Sequence, residues 1–273
     1  MIVDKINLYL TEQGKSIDDR IAYEVGLLAQ WSFNRQFMTD DESISKGHIR
    51  LSASGKCPRQ LAYGYHGFEK KGKEMDSRSK LTFFAGDMVE VVIMQLAKAA
   101  LKKLGGGNIG CCGRDQAVVS LSVNGSLVEG HPDGLFISQQ GIYLVECKSM
   151  SSFGFKKFEA GEVDDSYLTQ MNVYMASMGL SKCIMIAYNK DSNVLGEKLI
   201  ELDKDIVEEA KVNILKVLKS TPETLPEAPP ELEANDKGFY PWNCLYCAYW
   251  GICRDAEKVV IKNAYKLKKK GAV

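Results

Sequence analysis

Three acidic side chains, a lysine and a group of late cysteines are the residues of this sequence whose types and spacing can do chemistry. The central stretch reads Glu129-Gly130-His131-Pro132-Asp133-Gly134-Leu135-Phe136, followed by Tyr143-Leu144-Val145-Glu146-Cys147-Lys148. Glu146 and Lys148 are two positions apart on a segment of strand character, so they share a face. Asp133 lies thirteen positions before Glu146, a separation that lets two adjacent antiparallel strands bring both carboxylates together. Converging carboxylates repel each other, and one lysine offsets that repulsion only in part. A divalent cation does it better, and Mg²⁺ with oxygen ligands is the natural choice. Held there, it can polarise a phosphodiester oxygen and lower the pKa of a bound water, with Lys148 orienting that water. A strand with one surface ion pair explains the bare Asp…Glu-x-Lys pattern as simply, so three further features must be weighed. Glu90 falls on a helix face with Phe83, Ile93, Met94 and Ala97, where a carboxylate needs a partner. Gln170 and Tyr174 stand one helical turn apart and point the same way. Ser149 to Ser152 resembles a loop at an open sheet end.

The second constellation is Cys244-x2-Cys247-x5-Cys253, set among Trp242, Tyr246, Tyr249 and Trp250. Three ligand-grade cysteines leave one position of a tetrahedral or cubane site open. Candidates for it are Cys57, Cys111, Cys112, Cys147 and Cys183. Cys147 and Cys183 look like core thiols, whereas Cys111-Cys112 lies in a Gly-rich loop. A structural zinc would use the same residues, although zinc sites usually pair their cysteines more closely than one early and three late.

The elements that must position these residues follow from periodicity. Residues 1–46 carry apolar residues at three- and four-residue steps (Ile2, Ile6, Leu10; Ile17, Ile21, Val25, Leu28, Trp31) and form a helical extension. A long helix is expected from about Leu81 to Leu104, stopped by Gly105-Gly106-Gly107. Strands are expected at Gln116–Val123, Leu127–Ile137 and Ile142–Cys147, with Asn124-Gly125 as a hairpin turn. A helix over Asp165–Met178, strands at Cys183–Tyr188 and Lys198–Leu202, and a helix over Asp205–Leu218 follow. Four of the seven prolines fall in 222–230 and mark a connector. Strands bunched centrally with helices around them indicate an α/β (α+β) chain with a mixed sheet.

Taken in order, Gly86-x-x-x-Glu90, Gly130-x-x-Asp133, Glu146-x-Lys148 and Gln170-x-x-x-Tyr174 resemble the motifs of the RecB-like branch of the PD-(D/E)xK nuclease superfamily. That resemblance implies a restriction-endonuclease-like fold, a mixed central sheet flanked by helices. It implies that Asp133, Glu146 and the Cys147 carbonyl hold Mg²⁺ or Mn²⁺, and that Lys148 is the catalytic lysine. Gln170 and Tyr174 would hold the DNA backbone. Glu90 occupies the first motif, where many members have histidine. Cys57-Pro58-Arg59-x-x-x-Tyr63 resembles an element of the iron–sulfur nucleases in this superfamily, among them the CRISPR-associated RecB-like exonucleases and AddB-type nuclease domains. It implies a [4Fe–4S] cluster on Cys57, Cys244, Cys247 and Cys253, stapling early and late parts of the chain. The resemblance spans about residues 52–255.

Composition bounds these readings. Among 273 residues, 35 Lys+Arg balance 35 Asp+Glu, and 45% are hydrophobic, which is ordinary for a globular protein. The zero net charge is an average over unlike parts. Residues 50–80 hold eight cations (including Lys73 and Arg78) against three acids, and 257–273 hold six lysines against Glu257, while 201–236 hold ten acids against four lysines. Arg59, early in a helix, is a candidate phosphate contact. No apolar run is long enough for a membrane helix and no signal peptide is evident, so a cytoplasmic protein, bacterial or phage-encoded, is expected. The expected organisation is a helical extension over 1–46, a nuclease domain over 47–256 and a Lys-rich tail over 257–273. The expected activity is a metal-dependent DNA exonuclease on single strands or ends, in recombination, repair or phage DNA metabolism. Recombination, helicase or integrase proteins are candidate partners. The alternatives are a nuclease that trims CRISPR spacer precursors and a catalytically silent DNA-binding or assembly module.

Overall fold

The alternation that begins at Ser126 breaks at His131-Pro132, and this break decides the central topology. Pro132 has no N–H to give a strand ladder. The single strand expected over Leu127–Ile137 is therefore two strands, in different sheets. The computed structural model describes residues 1–13, 19–38, 46–71, 77–262 and 264–271. Ile17 of the N-terminal helical pattern and Lys73 of the basic stretch lie outside the described residues, as does the side chain of Arg78.

The chain divides into two compact units, the first made of residues 1–41, 50–55 and 78–210. Its five-stranded sheet runs in the order β1 (Asn108–Gly110), β4 (Gly134–Ser138), β5 (Gly141–Met150), β6 (Lys182–Asn189), β7 (Val194–Glu201). The strands β2 (Val119–Val123) and β3 (Ser126–Gly130) form a separate hairpin, closed by Asn124 and Gly125, both at positive φ. The pair β5–β6 is parallel, with Leu144 opposite Cys183, and all other neighbours in the main sheet are antiparallel. A parallel pair needs a crossover, supplied here by α5 (Ser152–Glu159) and α6 (Asp165–Met178). The mixed sheet flanked by helices expected from the sequence is what the chain forms.

One face of that sheet carries α1 (Ile2–Gln13) and α4 (Ser77–Leu104). Ile2, Ile6, Ile93, Met94, Ala97 and Leu101 pack there on Val145, Cys147, Ile184 and Ile186. Each isoleucine buried this way contributes roughly 1.5–3 kcal/mol. The amide of Val3 donates to Glu197 Oε2 on β7 (2.6 Å), so α1 belongs to the unit's core. The opposite face is covered by α6, with Met171 and Met175 buried. Covered on both faces, β5 and β6 read as apolar runs rather than alternating strands. The α2 helix (Asp19–Phe37) brings Phe33 and Phe37 against Phe84. Phe83, expected on the Glu90 face with Ile93, is instead 52% exposed, because it is its neighbour Phe84 that turns toward α2.

The second unit gathers residues 42–49, 56–77 and 211–273, the boundary falling within α7 (Lys204–Leu218). It contains α3 (Pro58–Tyr65), two single-turn helices α8 (Trp242–Leu245) and α9 (Trp250–Cys253), and the hairpin β8 (Ala256–Ile261)–β9 (Ala264–Lys269). Most of the Lys-rich segment expected as a tail is thus a paired strand structure. Leu267 is fully buried with Cys244, Leu245 and Ala256, while Lys266 and Lys268 alternate to the other side over the Phe239 ring. Tyr63 stacks on Tyr249 with ring centroids 5.3 Å apart. Among the described residues no helix is long and apolar enough to cross a membrane.

Candidate active site

Antiparallel register builds the acidic centre. Gly134 pairs with Val145, so Asp133, one residue earlier, comes opposite Glu146, and directly opposed residues project from the same face. Asp133 Oδ2 accepts the Cys147 amide at 2.7 Å, which pins the turn to the strand. Two glycines allow the approach. A Cβ on Gly130 would lie 2.6 Å from Tyr174 Cε1, and one on Gly134 would lie 2.5 Å from Met94 Cε. Gly86, by contrast, has room: its Cβ would meet Ser149 Oγ at an ordinary 3.7 Å.

Glu146 is fully buried. Its Oε1 accepts from Lys148 Nζ (2.5 Å) and from Gln170 Nε2 (2.6 Å), and its Oε2 has no hydrogen-bond partner. Both donors therefore hold one oxygen and leave the other bare. Burial pushes the Asp133 carboxyl well above the usual aspartate range, helped by the charges of Glu146 and Glu90. Burial works against the Lys148 ammonium, but the Glu146 and Asp133 carboxylates outweigh it and raise its pKa. Lys148 also lies 5.3 Å from the Tyr167 ring centroid.

The other predicted residues fall close by. Glu90, on α4, accepts from Gln116 Nε2 at 3.1 Å. Cys147 faces the opposite core, as its parity on the strand requires, and burial raises its thiol pKa far above the ordinary range. Gln170 and Tyr174, assigned by resemblance to the DNA backbone, both turn inward. Gln170 holds Glu146, and Tyr174, 1% exposed, donates its hydroxyl to the His131 carbonyl at 3.2 Å. The Ser149–Ser152 loop is shorter than expected, since β5 runs to Met150 and α5 starts at Ser152, capped by Ser151. Tyr167 was not anticipated; its signal was present, because 167, 170 and 174 share one helical face.

The cysteines separate cleanly between the units. Cys111, Cys112, Cys147 and Cys183 lie in the first unit, the last three buried, and Cys57, Cys244, Cys247 and Cys253 in the second. None of the eight is in a disulfide. Cys57 precedes α3, whose first residue is Pro58. Burial pushes its thiol up, the amides of Gln60 and Arg59 pull it back, and the charge of Cys253 raises it again. Burial also lifts Cys247, to about 11, although its sulfur accepts the Tyr249 amide at 3.4 Å; the other three thiols add to the rise. Arg59 Nε donates to Tyr63 Oη at 3.4 Å.

Among the described residues, no three His, Cys, Asp or Glu side chains are drawn together tightly enough to hold a metal ion as they stand. The donor chemistry nevertheless fits one at the acidic centre, where a buried carboxylate oxygen is bare beside a second carboxylate. The second unit holds four cysteines, the donor type and number that a thiolate-bound centre uses.

No family model and no curated protein matches the chain. Among solved structures it is similar to the crystal structure of SSO0001, with a TM-score of 0.47 and 16% identity over 84% of this chain and 95% of that one. It is similar to an alkaline exonuclease, LHK-Exo from Laribacter hongkongensis, with a TM-score of 0.45 and 18% identity over 66% and 91% of the two chains. For LHK-Exo in complex with dAMP the TM-score is 0.44 and the identity 19%, over 63% and 86%.

Proposed function

We propose that the chain is a metal-dependent DNA nuclease, an exonuclease acting on single strands or ends in DNA recombination, repair or phage DNA metabolism. The observation that carries this reading is the divided carboxylate of Glu146. Lys148 and Gln170 occupy one oxygen, and the buried second oxygen is left without a partner beside Asp133. A surface ion pair on a strand needs no such arrangement, and a buried bare carboxylate oxygen is costly unless something binds it.

Asp133, Glu146 and the Cys147 carbonyl would hold Mg²⁺ or Mn²⁺, with Glu90 nearby. When bound, the ion supplies Lewis-acid polarisation of the phosphodiester and acidifies water. The chain's own residues do the rest. Lys148 stays an ammonium across neutral pH, so it donates: it orients the attacking water and offsets charge growing on the phosphoryl oxygens. Gln170 fixes the carboxylate plane of Glu146, and Tyr174 fixes the His131–Asp133 turn. In the second unit, Cys57, Cys244, Cys247 and Cys253 would bind a [4Fe–4S] cluster, tying residues 56–77 to the C-terminal part. Arg59 is the phosphate contact proposed there.

The test is degradation of end-labelled single-stranded DNA with Mn²⁺. Cleavage by the wild type, lost at least about a hundredfold in Lys148→Ala, is expected from the usual worth of an electrostatic stabiliser. Undiminished cleavage by Lys148→Ala would refute the mechanism. Absence of cleavage by the wild type would favour a DNA-binding module.

A further inference from the structure

Arg254 follows the last of the four cysteines of the second unit, and its side chain is only 10% exposed. Its Nη1 donates to Glu233 Oε1 (2.6 Å), its Nη2 to the Leu232 carbonyl (3.0 Å), and its guanidinium lies 5.0 Å from the Tyr240 ring centroid. These contacts fix the fork. Its Nε is buried and has no hydrogen-bond partner, and the same is true of the indole Nε1 of Trp250, four residues earlier. Buried donors without acceptors are costly, so two of them on adjoining turns mark a place where an acceptor belongs. Both residues border an open surface cleft that Cys253, Asp255 and Lys270 also line.

The thiols are close at hand. Cys244 Sγ lies 3.7 Å from the same Leu232 carbonyl that accepts from Arg254.

We infer that Arg254 is the outer cation of a tetrathiolate centre on Cys57, Cys244, Cys247 and Cys253, its Nε–H and the Trp250 indole N–H donating to sulfur. This rests on the cysteine reading proposed above. Four thiolates around a [4Fe–4S]²⁺ core or around Zn²⁺ both leave two negative charges in a partly buried place. A fixed guanidinium, half-neutralised by exposed Glu233, offsets part of that charge. Arg254 is thus a positioning and charge-setting residue rather than a ligand.

The test uses the full chain, reconstituted anaerobically with Fe²⁺ and sulfide in one arm and given Zn²⁺ alone in the other. Metal and sulfide per chain, visible absorption, chelator-driven release and, for the iron form, midpoint potential are measured. The arm that loads distinguishes cluster from zinc. Arg254→Gln is expected to release metal about ten- to a hundredfold faster than wild type, the usual effect of losing an outer partner, with Arg254→Lys in between. Its iron form is expected to have a lower potential, because the more negative reduced state loses its cation. Glu233→Gln keeps an oxygen for Nη1 but removes the neutralising charge, so it is expected to move both readouts the opposite way. Faster release from both variants would mean a merely structural anchor and would overturn the inference, as would wild-type behaviour of Arg254→Gln. If Arg254→Gln does not fold, Glu233→Gln decides alone: slower release supports the inference and faster release overturns it. A wild type that loads neither metal overturns the cysteine reading and this inference with it.

Discussion

Replacing Asp133 by asparagine should stabilise the metal-free protein while abolishing cleavage. Asp133 is buried beside Glu146, and its Oδ2 accepts the Cys147 amide. Asparagine keeps a carbonyl oxygen for that amide and removes the charge that burial and Glu146 oppose; its new N–H₂ can donate to the facing carboxylate. The folded pKa of Asp133 lies above the ordinary value of 3.8, so its linked stability is complete at acid pH and is lost as pH rises through the raised pKa. Across that window the wild type should lose about 1.4 kcal/mol per pH unit relative to Asp133→Asn, and above it the difference levels off. Urea unfolding in EDTA, from pH 4 to about pH 9, measures this directly; the range follows from the ordinary carboxylate pKa. Saturating Mn²⁺ should then reverse the order. A divalent ion at a hundred times its Kd adds about 2.7 kcal/mol to the form that binds it and nothing to the variant. A variant less stable than wild type at alkaline pH without metal, or a difference that does not change with pH, would refute the electrostatic account.

Two further outcomes are expected. Gly130→Ala places a methyl 2.6 Å from Tyr174 Cε1 and 2.9 Å from Leu51 Cβ, so it should destabilise by about 1–3 kcal/mol and cut cleavage by displacing the His131–Asp133 turn, read by thermal melting beside the nuclease assay. Glu197→Ala leaves the Val3 amide without its acceptor and should cost about 0.5–2 kcal/mol, with hydrogen exchange accelerating in α1 more than in α6.

The long, strongly patterned elements were legible in the sequence. The helix expected over 165–178 is found at Asp165–Met178, and the buried strand at 183–188 extends by a residue at each end. The meeting of Asp133 with Glu146 was legible too, because side-chain parity and antiparallel pairing leave little choice once the strands are placed. What the sequence did not disclose depends on tertiary context. The separation of β3 from β4 turns on one proline where the alternation of Ser126–Gly130 breaks off. The short β1 has too few residues to show a period, and α5 lies where serines suggested only a loop. The lysines of 257–270 read as a solvated tail because composition outweighed the alternation that buries Leu267. Most tellingly, which oxygen of Glu146 is left bare is set by two donors arriving from different elements, a fact that spacing along the chain does not encode.

The link between α1 and β7 has a consequence for synthesis. The Val3 amide and its acceptor are 194 residues apart. At roughly 5–20 residues per second, α1 waits about 10–40 s on the ribosome before its partner strand exists. During that interval the Val3 amide lacks its acceptor, and Ile2, Ile6 and Tyr9, which end up almost wholly buried, have only the part of their core already made to pack against. By contrast, the segment from β4 to β6 that carries Asp133's neighbours, Glu146, Lys148 and Gln170 is contiguous and can pair as it emerges. The acidic centre can therefore take shape before the helix that closes the far side of the sheet has found its place, and slow translation would expose that helix rather than the site.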